Sequence, residues 1–143
     1  MIAGLSVASV LGRQPAHVIG VSFGALIAIA LAVSRPALVR TLVLSDATLG
    51  RATLDDAARA RWLQHREALA HDLQARSVER AAEIAGRTAP PAVIEAIAAH
   101  MRRARPSGYL AVARAIAATD ARPWLARIDQ PALILCGGFR QKP

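Results

Sequence analysis

The stretch His17–Ser34, HVIGVSFGALIAIALAVS, constrains this chain more than any other. A short apolar run, Val18-Ile19, leads into Gly20-Val21-Ser22-Phe23-Gly24, and a longer apolar run, Ala25–Val33, leads out. The first run has the length of a strand and the second that of a buried helix, so the motif between them marks a sharp strand-to-helix turn. Strand and helix must pass so closely there that Gly20 and Gly24 are expected where little side chain is tolerated. The uncharged run Val18–Val33 is sixteen residues long. A membrane span needs about 20, and the glycines and serine divide this run, so no membrane partner is expected.

The motif is a G-x-S-x-G, and in this context it has the form of a nucleophile elbow. A serine hydroxyl is a weak nucleophile unless a strained turn presents it beside a base and an oxyanion hole. Ser22 is therefore the candidate catalytic nucleophile. Phe23 would open the helix, and its peptide N–H, with the helix dipole behind it, would face the developing oxyanion. Gly20 and Gly24 are the elbow glycines.

Composition adds mainly exclusions. At 143 residues and 54% hydrophobic, the chain can bury a core. Its formal charge of +8 raises the question of nucleic acid. However, the arginines are spread from Arg13 to Arg140, the densest cluster being Arg102, Arg103 and Arg105, with no interleaved aromatics. A solvated helix face explains them, and no nucleic-acid partner is expected. One cysteine, Cys136, permits no internal disulfide, fits a reducing cytoplasmic compartment and is expected in the core. No His/Cys set has metal-ligand spacing, so neither a metal nor a cofactor is expected. The first residues lack the charged start of a signal peptide; Leu5, Val7, Val10 and Leu11 suggest a short amphipathic helix ending near Gly12.

In order, Ala16–Val21 reads as a strand, Gly24–Ser34 as a buried helix stopped by Pro36, and Val39–Ser45 as a strand apolar on both faces. From Thr53 to about Thr119 the pattern turns helical. Thr53 is expected to cap a helix from Leu54, Ser77 another ending at Gly86, and Pro90-Pro91 a third running to about Arg105. A fourth spans Tyr109–Thr119, with Trp62 and Trp124 as packing anchors. Pro123–Ile128 follows as a helical turn, and Pro131–Cys136 as a third strand. The fold class is α/β, a three-stranded parallel sheet with a helical insertion. The expected divisions are a partial core over 1–50, a helical cap over 51–120, and the last strand with the C-terminus over 121–143.

This order of elements around G-x-S-x-G resembles the α/β-hydrolase superfamily. VRTLVLSDAT, GYLAVARAIAATDARPWLARI and QPALILCGG look most like the 3-oxoadipate enol-lactonase group. The resemblance implies a serine hydrolase acting on a small carboxylic ester or lactone. It also implies an acid after the third strand and a later histidine. Gly137-Gly138-Phe139-Arg140 puts arginine where the acid belongs, and the last histidine is His100. Asp46, at the end of the second strand, is either a local turn residue or an alternative acid, a position that a few superfamily members use. His17 stands five residues before Ser22 on one strand, roughly 16 Å away at about 3.3 Å per residue. A base must lie within about 3 Å, so His17 is excluded. His65, His71 and His100 read as solvated helix residues.

The resemblance also implies an earlier strand whose loop gives the second oxyanion donor, and this chain is expected to lack it. The chain is thus expected to be an incomplete copy without useful activity alone. The change of character over Gly138–Pro143 suggests a shifted reading frame. Exposed sheet edges would favour self-association. The competing reading is a non-catalytic remnant or interaction module of the same fold.

Overall fold

The computed structural model describes residues 14–86 and 88–137. The expected N-terminal amphipathic helix and the stretch after Gly137 lie outside the described residues. Three strands, β1 (Ala16–Val21), β2 (Val39–Ser45) and β3 (Ala132–Leu135), form one parallel sheet in the order β1-β2-β3. Helix α1 (Phe23–Ser34) connects β1 to β2. It ends where the sequence places its stop: Arg35, before Pro36, leaves the helical conformation and its N–H donates to Leu31 O at 2.7 Å. A short 3₁₀ turn, Pro36–Leu38, then enters β2.

The core lies between α1 and one face of the sheet. Ala25, Leu26, Ala28, Ile29, Leu31 and Ala32 of α1 pack with Val39, Leu42 and Leu44 of β2, and Trp124 closes against this cluster. Burial along β2 is one-sided, which corrects the expectation of two buried faces. Register aligns Ile19 with Val43 and Leu133, and Val21 with Ser45 and Leu135, on the face away from α1. There Ile19 is 73% exposed and Leu133 54%. A parallel sheet is ordinarily covered on both faces, and no described element covers this one. Cys136 is exposed rather than in the core, because it extends an edge strand whose residues are all exposed.

Leu54–Ala117 is a compact unit of its own, separate from the unit carrying the strands. It holds α2 (Asp56–His71), α3 (Ser77–Ala85), α4 (Pro91–Arg103) and most of α5 (Pro106–Ala118). Two caps differ from the sequence expectation. Asp55, not Thr53, caps α2, its carboxylate accepting Ala58 N–H at 2.7 Å. Ser77 lies inside α3, buried, and its hydroxyl accepts from Arg102 at 3.4 Å. Pro106-Ser107-Gly108 forms the first turn of α5 instead of a preceding loop, since proline's fixed φ suits a helix start. Arg66 lies over the Trp62 ring, 4.9 Å from its centroid, and donates to the Tyr109 hydroxyl at 3.1 Å, which ties α2 to α5.

In the sheet unit, the chain leaves and re-enters through a backbone clamp. Ala52 N–H donates to Thr119 O at 3.0 Å, and Ala121 N–H to Leu49 O at 2.8 Å. Asp120 beside it accepts from Arg122 Nε at 2.8 Å, and this bond lowers its carboxyl pKa. Helix α6 (Arg122–Leu125) follows.

The two motif glycines differ in their surroundings. A Cβ on Gly20 would fall 2.5 Å from Gly24 O and 2.6 Å from Ala25 Cα, whereas one on Gly24 meets no described atom within 4 Å. Crowding therefore acts at Gly20 alone. Gly20→Ala is expected to destabilise by about 1–3 kcal/mol. Gly24→Ala should be neutral or stabilise by up to about 1 kcal/mol. Urea denaturation separates the two. Replacing Ile19 and Leu133 by threonine should lower the fluorescence of a bound hydrophobic dye while moving stability by no more than about 0.5 kcal/mol per site.

Candidate active site

The three strands end in one row, with Val21, Ser45 and Leu135 in register. In open α/β sheets, the crevice beyond the carboxyl ends of the strands is where ligands bind. The residues just past this row are Ser22, Asp46, Cys136 and Gly137.

Ser22 occupies the single position between β1 and α1, with φ 52° and ψ −113°. A positive φ is sterically unfavourable for a residue with a Cβ. Two constraints hold it. The Ser22 N–H donates to Ser45 O at 2.9 Å, continuing the ladder into β2. Its carbonyl accepts Ala25 N–H at 3.1 Å and so starts α1. The residue is exposed, and its side chain makes no capping bond to the helix. The hydroxyl is thus committed neither to the core nor to the helix end. Phe23 is the first residue of α1, within the turn whose N–H groups lack intrahelical acceptors. A helix N-terminus favours negative charge there.

Asp46 is the other described non-glycine residue at positive φ, 43°. Its N–H donates to Leu135 O at 2.9 Å, and its Oδ1 accepts Gly137 N–H at 3.0 Å. Sequence reasoning did not foresee the Asp46–Gly137 bond, nor the use of the Ser45 carbonyl to hold Ser22. The signal available was an aspartate, a residue tolerant of the left-handed region, directly after a strand.

The histidines are distributed as follows. His17 lies near the start of β1, at the far end from Ser22, with Nδ1 2.8 Å from Thr41 Oγ1. His65 and His71 belong to α2 and His100 to α4, all in the other unit. His100 Nδ1 donates to Ala96 O of its own helix at 2.9 Å. Among the described residues no cluster of His, Cys, Asp or Glu could hold a metal. No described helix is long and apolar enough to cross a membrane.

Comparison with known proteins gives a consistent fold. The model of the α/β hydrolase fold family matches residues 9–141. No curated protein matches the chain. Among solved structures, a hydrolase from Pseudomonas aeruginosa PA01 is 29% identical with a TM-score of 0.72, covering 94% of this chain and 51% of its own. The enol-lactonase from Burkholderia xenovorans LB400, 24% identical, superposes with a TM-score of 0.73 over the same shares and bears on the fold alone. The chain thus spans about half the length of these two structures. Its sheet, its strand-to-helix serine turn and the family match agree: the chain belongs to the α/β hydrolase fold family.

Proposed function

We propose that this chain carries the nucleophile portion of a serine hydrolase for carboxylic esters or small lactones. Ser22 attacks the substrate carbonyl, and the Phe23 N–H, at the helix N-terminus, stabilises the tetrahedral oxyanion. For an ester, collapse expels the alcohol; for a lactone, it opens the ring with the alcohol still tethered, and water then releases the acyl group from Ser22. No metal or cofactor enters these steps. The observation that supports this reading best is the backbone of Ser22, held at positive φ between β1 and α1 with its side chain exposed and making no capping bond.

Attack requires a base on the serine proton. His17, the one described histidine of the sheet unit, stands at the wrong end of β1. Loss of triad members lowers kcat by roughly 10⁴–10⁶ in well-studied serine enzymes. The chain by itself is therefore expected to turn over an activated ester at least about 10⁴-fold more slowly than a serine hydrolase with a full triad. Placement of His17 also favours a second reading, a non-catalytic module with the same fold. The single cysteine fits a cytoplasmic setting.

Prolonged treatment with a fluorophosphonate, followed by peptide mass spectrometry, separates the two readings. A covalent adduct on Ser22 that is lost in Ser22→Ala is expected for the nucleophile. An adduct spread equally over other serines, or none on soluble folded protein, would favour the non-catalytic module.

A further inference from the structure

We propose that Asp46 is a positioning residue of this site. It acts as a hydrogen-bond acceptor that pins the end of β3 and, through Ser45, steadies the turn that carries Ser22. The inference rests on Ser22 being the nucleophile.

The reasoning starts from the weakness of β3. It has four residues, all exposed, and pairs only with β2 among the described elements. Little apolar burial holds such a strand, so its end depends on hydrogen bonds. Asp46 supplies two of them: its N–H bonds to Leu135 O, and its Oδ1 takes Gly137 N–H. The first continues the parallel ladder one residue past the Ser45–Leu135 pair, and the second is made by the side chain of a residue held at positive φ. The neighbouring Ser45 carbonyl receives the Ser22 N–H. One turn therefore joins the ends of all three strands, with Asp46 tying β3 and Ser45 tying Ser22. Because Oδ1 already receives a backbone N–H, the chemistry asked of Asp46 is that of an acceptor. An amide oxygen would serve equally, and asparagine tolerates the left-handed region at least as well as aspartate. A catalytic acid that must stabilise an imidazolium could not be replaced in this way.

The test compares Asp46→Asn, Asp46→Gly and Asp46→Ala in the whole chain by amide hydrogen exchange, with fluorophosphonate labelling of Ser22 in parallel. Asp46→Asn should leave Gly137 and Ser22 exchange within about threefold of the parent, whereas Asp46→Ala should speed both on the order of tenfold, the usual effect of losing one hydrogen bond to a charged acceptor. Asp46→Gly removes the backbone strain but not the loss, and should follow alanine at Gly137. Faster exchange in Asp46→Asn, or unchanged Gly137 exchange in Asp46→Ala, would overturn the proposal. If the alanine variant does not fold, the asparagine result alone decides. Loss of labelling in Asp46→Asn with unchanged exchange would make Asp46 an acid and also overturn the proposal. Absence of labelling in the parent would remove the nucleophile reading while the exchange data still judge the clamp.

Discussion

Everything in the sheet unit depends on how closely β1 and α1 pass at Gly20. A side chain there would overlap the Gly24 carbonyl and the Ala25 backbone, and steric overlap with backbone atoms cannot be relieved by a rotamer change. Its absence lets α1 lie flat on the sheet, where small Ala25, Ala28 and Ala32 alternate with Leu26, Ile29 and Leu31 to fill the gap above Leu42 and Leu44. The same closeness leaves one residue to complete the reversal, and that residue takes a positive φ. The strain at Ser22 is thus a consequence of packing, held by the core beneath it and by the bond to Ser45.

The sheet is held unequally. On one face α1 buries Leu42 and Leu44 of β2 but leaves Ile134 of β3 exposed, whereas on the other Ile19, Val21, Leu133 and Leu135 stand exposed. Hydrophobic burial therefore stabilises the strands from one side only, and the outermost strand relies on backbone and side-chain acceptors at its end. In the helical unit the balance differs again. Buried residues there are mostly alanine, namely Ala70, Ala81, Ala98, Ala113 and Ala117. Close helix approach replaces bulky interdigitation. Ion pairs such as Arg59–Asp56, Arg76–Glu79 and Arg80–Glu83 run along single helices at i,i+3 on the surface. Exposed to water, such pairs add little to helix stability.

Much of this was legible in the residues. The bounds of β1 and β2, the stop before Pro36 and the glycine end of α3 follow from local patterns that no distant contact overrides. Helix starts were less legible where several capping residues compete. Thr53 and Asp55 lie two apart, and only the backbone decides which side chain reaches an amide three residues on. Ser77 shows the reverse case: it is the first residue of α3, buried, with its hydroxyl accepting from Arg102 of another helix.

By itself the sequence determined that a serine would stand between a strand and a helix, and that a helical insertion would separate the second and third strands. Both are local matters of periodicity, glycine placement and proline. Tertiary structure alone decided which motif glycine is crowded, which face of β2 is buried, and that Asp46 spends its carboxylate on Gly137. The Asp46 bond spans 91 residues, and the crowding at Gly20, although its neighbours are close in sequence, depends on the path of the backbone through the turn, which no pattern of residue types records.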